Sequence, residues 1–391
     1  VDVTGLQTSA VESRLHRGVL PTGADPDRFE KRHAHCDVLV VGGGPAGLSA
    51  ALAAADAGAR VMLVDDRAYL GGQLGGEDLM IGDDPAMRWA AEAEARLRAH
   101  PDVRILTRTT AFNVGDQGAV ALLERVAEHL PADERGGRAL RRLWQVRTRE
   151  LVVATGATER PLVFADNDRP GVMLAAGVRG YLHRYGLVFT ADDDAYRTAI
   201  DLAGAGVFVE AVVDVRPDPR GPLVRRTREL GIEVLAGSAV IGTDGDAHGV
   251  LTAARVVPLA GGPERVLPCD CLAVSGGWDP LFDLHLHVSG GSRWDAELVG
   301  FVPDGAVAGI RVAGAATGIL GLAGCRRDGH LVGLAAAEAT GHGALADGPP
   351  APDGADPAFE PTADVNPSWS PDGQSIVYTC ATSVCARPAD G

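Results

Sequence analysis

The feature that most constrains this chain is a glycine pattern, Gly42, Gly44 and Gly47, spaced G-x-G-x-x-G. Alone the pattern is weak. Here it follows an unbroken apolar run, "CDVLVVGGG", and opens a small-residue stretch, "PAGLSAALAAADAG", that ends at Gly58. A second apolar run, "ARVMLVDD", then reaches Asp65, 18 residues after Gly47. In that context the pattern predicts a strand-helix-strand unit that binds the ADP part of a dinucleotide. Gly42 permits the tight turn, Gly44 lets the backbone approach the pyrophosphate, and Gly47 lets the helix lie close on the sheet. Pro45 and Ala46 begin the helix, whose free N–H groups and partial positive charge face the phosphates. Asp65, with Asp66 beside it, is placed to accept hydrogen bonds from the adenosine ribose. Its charge disfavours a 2′-phosphate, so an unphosphorylated ribose is expected.

Just downstream, "LGGQL" spans Leu70 to Leu74. Gly71 and Gly72, followed by Gln73 and Leu74, read either as a second backbone approach to the pyrophosphate or as an ordinary loop.

Residues 1–36 read as a polar arm. Residues 84–99 have helical spacing, with Met87, Ala91, Ala95 and Leu97 for an inner face. "VRILTRTTAFNV" and "RLWQVRTRELVVATG" read as strands, with a Gly/Arg-rich loop and a short helix between them. "LVFTADDDAYRTAIDLAGAGVFVEAVVDVR" reads as a second strand-helix-strand unit, but it has no glycine loop. Asp192, Asp193 and Asp194 stand where phosphates would approach; carboxylates there cap a helix well and repel a pyrophosphate. This unit therefore reads as structural, or as binding something other than a dinucleotide. Asp214 ends its next strand as a ribose acid would, without the glycines to support that role. The expected organisation is an arm (1–36), a discontinuous first dinucleotide-binding domain (37–175 and 269–340), an inserted degenerate nucleotide-type domain (176–268), and a Pro/Gly-rich linker and tail (341–391) with a strand after "NPSWSPDG". The fold class is α/β, a Rossmann-like parallel sheet with an inserted second nucleotide-type domain.

Charge and cysteines narrow the function. A net charge of −16 argues against nucleic-acid binding, and the interrupted basic run Arg135–Arg149 reads as a solvated loop or protein contact. The 18 uncharged residues Val38–Ala55 include four glycines and a proline and belong to the glycine motif rather than to a membrane span. With no signal-like segment at the start, a cytoplasmic protein is expected. None of the six cysteines forms a C-x-x-C pair, which argues against a dithiol relay and a zinc ribbon; no metal is expected. His285 and His287 alternate, as on one face of a strand or extended loop. Arg160 and Asp168 bracket a turn and read as an ion pair shaping it, or as a contact to the dinucleotide or a partner. His183 and Arg184 read as surface or interface residues. No nucleophile–base constellation stands out, so no catalytic residue is identified.

"CDVLVVGGGPAGLSAALAAADAGARVMLVDD", "ELVVATGATERPLVFADNDRPGVMLAAGVRGYLHRYG", "DDDAYRTAIDLAGAGV", "CDCLAVSGGWDP" and "RVAGAATG" together resemble the α subunit of heterotetrameric sarcosine oxidase, over about Asp27 to Ala339. The wider group includes α subunits of opine oxidases, dye-linked proline dehydrogenases and hydrogen cyanide synthase, and implies a two-dinucleotide-binding fold. The resemblance implies a division of labour. A β-type subunit carries FAD and oxidises the C–N bond of the amino acid, an FMN lies between α and β, small subunits complete the complex, and the α subunit holds NAD in its first nucleotide site. Carried over by residue, Gly42, Gly44, Gly47, Asp65, Gly71, Gly72 and the turn Ala154-Thr155-Gly156 line the dinucleotide. FAD enzymes of this fold usually place an Asp after the last strand's glycine; here Gly314 is followed by Ala315, which favours NAD over FAD. The family's iron–sulfur cysteines, N-terminal domain and folate-binding domain are not matched, and the link from Tyr185 to Phe189 is short. The readings are thus an α-type subunit of a sarcosine-oxidase-like complex, a stand-alone FAD-dependent NAD(P)H oxidoreductase, or a non-catalytic nucleotide-binding scaffold.

Overall fold

The computed structural model describes residues 27–76, 79–182, 193–343 and short strands at 368–369, 375–380 and 383–388. At its centre β1 (Phe29–Val41) leads through α1 (Pro45–Asp56) to β2 (Val61–Val64), and α2 (Ala86–Ala99) leads to β3 (Val103–Leu106). β4 (Thr109–Gly115), β5 (Ala119–Arg125) and β6 (Arg141–Val153) then form an antiparallel meander, and the sheet order is β3-β2-β1-β6-β5-β4.

β1 and β6 run parallel from Phe29 opposite Arg141 to Val41 opposite Val153. The ends Val38–Val41 and Leu151–Val153 are buried, as expected of a sheet covered on both faces. The preceding half of β1 is largely exposed and is held by its ladder to β6. The expected arm therefore ends earlier than Cys36, because polar residues from Phe29 onward gain a long strand partner. The short helix expected before β6 is instead β5, with Val120 and Leu122 buried in alternation between two antiparallel neighbours.

α2 forms as expected but buries Ala86, Ala90, Ala93 and Leu97, so its inner face is rotated from the expected Met87, Ala91 and Ala95. Alanines at that spacing let the helix lie close to α1, while Met87 leans over the downstream glycine turn: a Cβ on Gly71 would lie 3.1 Å from its sulfur.

The chain leaves and re-enters this layer through Val172–Leu174 and Leu272–Val274, which pair in parallel. Between them lie α3 (Asp193–Gly204), β7 (Ala211–Asp214), α4 (Pro222–Glu229) and β8 (Glu233–Ala236), with β7 and β8 parallel. The antiparallel strands β9 (Ser238–Gly245), β10 (Leu251–Pro258) and β11 (Arg265–Pro268) follow. After the hairpin β12 (Gly291–Asp295) and β13 (Gly300–Asp304), β14 (Ile310–Val312) joins the end of β6, and α5 (Leu322–Ala339) covers α1. The α1–α5 contact explains the glycine and alanine content. A Cβ on Gly329 would lie 2.1 Å from the Ala46 carbonyl oxygen, and one on Gly333 2.3 Å from that of Ala50. Only glycine admits so close a crossing.

The tail strands 368–369, 375–380 and 383–388 pair antiparallel with one another. The expected first strand of the second unit, the Tyr185–Phe189 link, His183, Arg184, Asp192 and most of the linker lie outside the described residues, as do the side chains of Asp193 and Asp194. No described helix is long and apolar enough to cross a membrane.

Candidate nucleotide site

The three motif glycines are held for different reasons. Gly42 has φ +105°, and a Cβ there would lie 2.1 Å from the Ala154 carbonyl oxygen. A Cβ on Gly47 would lie 1.8 Å from the Gly42 carbonyl oxygen. Both are demanded by the fold itself. Gly44 is different: its backbone is ordinary extended chain (φ −76°, ψ −173°), and the nearest atom to a Cβ would be Gly72 Cα at 3.9 Å. Backbone strain therefore does not require glycine at position 44; open space in front of it is what glycine preserves. Gly44 is also the N-cap of α1, which has Pro45 in its first turn, no side-chain cap and no acidic residue there. The first-turn N–H groups of such a helix have no intrahelical acceptor and attract an anion.

The Gly71–Gly72 turn forms the opposite wall. Gly71 N–H donates to the Gly43 carbonyl at 2.8 Å, and Arg67 Nη1 donates to the Gly72 carbonyl at 2.6 Å. A Cβ on Gly72 would lie 2.9 Å from Gly44 Cα. The downstream turn thus packs backbone against backbone on the motif, a contact that a Cβ on Gly72 would break. Gln73 is exposed at its edge, whereas Leu74 turns into the core and offers no side chain to a ligand.

Asp65 follows the last residue of β2 and is buried. Its Oδ2 accepts from Gly43 N–H at 2.6 Å and its Oδ1 from Arg67 N–H at 2.8 Å. Burial raises its pKa, against the two N–H groups and the Arg67 charge. The acid therefore braces the glycine turn as well as standing where the ribose is expected, and exposed Asp66 flanks it. On the other side, the Thr155 hydroxyl donates to the Leu281 carbonyl, and Leu281 N–H donates to the Gly156 carbonyl at 2.9 Å. Gly314 (φ +66°) follows β14, and its N–H donates to Asp328 Oδ2 at 2.7 Å. Ala315 is partly buried against the core. Gly43, Arg67 and Asp328 were not singled out from the sequence; only the "DDR" step after β2 hinted at Arg67.

In the second unit Asp214 is fully buried. Its carboxylate accepts from Tyr196 Oη at 2.7 Å, Arg216 N–H at 2.8 Å and Arg216 Nη2 at 2.8 Å. These bonds commit it to packing rather than to a ribose.

Two sequence expectations change. Arg160 pairs with Asp279 at 3.5 Å and donates to the Leu298 and Val299 carbonyls, while Asp168 is exposed. Two residues distant in sequence, brought together at the foot of β13, replace the expected local pair. His285 and His287 lie at a one-turn helix, Asp283–Leu286, with His285 buried and His287 exposed, so they do not share a face. Among the described residues no group of three or more His, Cys, Asp or Glu could hold a metal; Cys36, Cys269 and Cys271 are free thiols, and the Cys325 thiol donates to the Ile319 carbonyl at 2.9 Å. Burial pushes Cys36, Cys269 and Cys271 up to about 11, which keeps them protonated and unreactive at neutral pH.

Residues 37–120 match the FAD dependent oxidoreductase family. Sarcosine oxidase subunit alpha of Corynebacterium sp. (strain P-1) is 40% identical over 349 residues, 85% of this chain and 36% of that protein. The same subunit of Rhizobium meliloti (strain 1021) is 42% identical over 319 residues, 78% of this chain and 31% of that protein. The chain thus spans about a third of the length of these relatives. L-proline dehydrogenase of P. horikoshii superposes with a TM-score of 0.58 at 21% identity, covering 81% of this chain and 58% of that one. Thioredoxin reductase of T. acidophilum superposes with a TM-score of 0.60 at 18% identity, covering 78% and 98%. Those two show the fold alone: a Rossmann-like parallel sheet in a two-dinucleotide-binding arrangement.

Proposed function

From the premise that this chain is a homologue of sarcosine oxidase α subunits over most of its length, we propose that it is the dinucleotide-binding α-type subunit of a sarcosine-oxidase-like amine oxidoreductase complex. The observation that carries the reading is the uncapped N-terminus of α1 at Gly44, where a Cβ would meet nothing nearer than the Gly72 Cα at 3.9 Å. Glycine keeps the space before that helix end bare, and the Gly72 backbone borders it. Backbone N–H groups of α1 receive the pyrophosphate, Asp65 and Asp66 take the adenosine ribose, and Arg67 holds the two glycine turns together. The other half of the dinucleotide passes between Thr155–Gly156 and Gly314–Ala315.

NAD is preferred to FAD on the alanine at position 315, where flavin enzymes usually carry an acid; the acid nearest that turn comes instead from α5, where Asp328 accepts the Gly314 N–H. Bound NAD supplies hydride exchange; the chain's own residues bind it, orient it and exclude a 2′-phosphate. Oxidation of the C–N bond of sarcosine or a related secondary amino acid falls to a partner's flavin, with FMN shared between subunits, and the chain acts in the cytoplasm. A second reading, FAD in the same site of a stand-alone NAD(P)H oxidoreductase, is favoured by the family match over residues 37–120. It lacks a glycine loop in the second unit and a C-x-x-C. The test is peroxide formation from sarcosine by the purified chain alone. None is expected, since no general base or second flavin site is evident; turnover by the chain alone refutes the division of labour.

A further inference from the structure

The strand order fixes the direction in which a dinucleotide must cross the site. At the carboxyl ends of the strands the order is β2, β1, β6, β14. Asp65, after β2, marks the ADP side, and the first turn of α1, after β1, marks the pyrophosphate. The second half of the ligand therefore runs toward the ends of β6 and β14. There Gly314 presses on α1: a Cβ on it would lie 2.5 Å from the Ala46 Cβ. The residue after it, Ala315, has no polar side chain.

The acid missing from that turn arrives from another element. Asp328 lies on α5, adjacent to Gly329, which is packed against the Ala46 backbone. This close crossing carries the Asp328 carboxylate over the start of α1, where Oδ2 accepts the Gly314 N–H at 2.7 Å. Its Oδ1 makes no hydrogen bond among the described residues, and the side chain is only partly buried. A carboxylate so anchored has one oxygen left to accept hydrogen bonds, beside the point where the chain of a ligand leaves the pyrophosphate.

We infer that Asp328 is a positioning residue for the second sugar of the bound dinucleotide, accepting its hydroxyl in place of an acid at position 315. The inference rests on the dinucleotide reading of the site and names a residue and a ligand group for it. The carboxylate also repels a terminal phosphate, so it favours a ligand that continues past the pyrophosphate over one that ends there. The shared chemistry is a hydroxylated sugar, the ribose of a nicotinamide nucleotide or the ribityl chain of a flavin.

The experiment is titration calorimetry of the full chain and its variants with ADP, ADP-ribose, NAD and FAD, with thermal melts alongside. ADP-ribose differs from ADP by the second sugar. In Asp328→Ala, affinity for ADP-ribose is expected to fall about 10- to 100-fold, the range for a hydrogen bond to a charged group, while affinity for ADP is unchanged or rises. Asp328→Asn keeps an oxygen for the Gly314 N–H, so it preserves the turn and is expected to fall between wild type and Asp328→Ala. It decides the matter if the alanine variant does not fold. Whether NAD or FAD loses affinity in parallel with ADP-ribose identifies which sugar is read. Equal losses for ADP and ADP-ribose reduce Asp328 to a prop for the turn and overturn the inference, as does no loss for either. Failure of the wild-type chain to bind both ADP and ADP-ribose overturns the dinucleotide reading itself, and the inference with it.

Discussion

Replacing Gly44 by valine separates ligand binding from folding at a single position. The backbone there is extended, in a region that β-branched residues favour. The nearest atom to an added Cβ is 3.9 Å away, an ordinary contact. The expected folding cost is within about 1 kcal/mol, a shift of at most about 4 °C in melting temperature. The side chain nevertheless takes up the open space before the α1 N-terminus, where the pyrophosphate is proposed to sit. Dinucleotide binding should weaken by at least ~100-fold, equivalent to about 2.7 kcal/mol. Gly47→Ala makes the contrast. Its single Cβ would lie 1.8 Å from the Gly42 carbonyl oxygen, so α1 must move away from the sheet. Overpacking of that kind costs on the order of 3 kcal/mol, and the melting temperature should drop by roughly 6–12 °C. The assay is NAD titration by calorimetry on each variant, with melting curves. A Gly44→Val protein that binds NAD as wild type does, or that unfolds as readily as Gly47→Ala, refutes the assignment of the α1 N-terminus to a pyrophosphate.

Asp37 is nearly buried and is clasped by the Arg60 side chain at 3.0 and 3.1 Å and by the Arg60 N–H at 3.0 Å. The Arg60 hydrogen bonds pull its carboxyl down to about 2, against burial, from an unfolded value of 3.8. A depressed folded pKa stabilises the fold above about pH 4 and loses that contribution as pH falls through about 2. Urea melts at pH 7 and at pH 3 should show Asp37→Asn costing about 2 kcal/mol at the higher pH and less at the lower; equal costs at both would contradict this. Asp214→Asn should destabilise the chain by about 3–5 kcal/mol, since it disrupts the buried set with Tyr196 and Arg216, yet leave NAD affinity unchanged by calorimetry. A selective loss of NAD binding would return a ligand role to the second unit.

The first strand-helix-strand unit was legible because each of its constraints is local: glycine spacing, an apolar strand on either side, and an acid at the end of the second. The helix Asp193–Gly204 and the strand Ala211–Asp214 of the second unit were legible in the same local way, from apolar spacing. What escaped the sequence depends on partners far along the chain. The polar start of β1 becomes a strand only because β6 lies beside it. α2 turns a different face inward because alanine allows a closer approach than the larger Met87. Asp328 reaches a glycine 14 residues earlier across the α1–α5 crossing. Arg160 finds Asp279 rather than its neighbour in the turn, because Trp278–Pro280 pairs antiparallel with Ala157–Glu159 and sets Asp279 beside it. Gly44 reads from sequence as the pyrophosphate glycine; what only the structure adds is that a Cβ there meets no atom nearer than 3.9 Å, whereas at Gly42 and Gly47 it would strike backbone.

We propose that the first site holds a dinucleotide whose second half is a nicotinamide nucleotide. It is tested most directly by denaturing the purified chain and identifying the released nucleotide by mass and visible absorbance. NAD is expected, close to one per chain, with no strong yellow colour. Stoichiometric FAD would contradict it and would shift the assignment to the FAD-dependent reading.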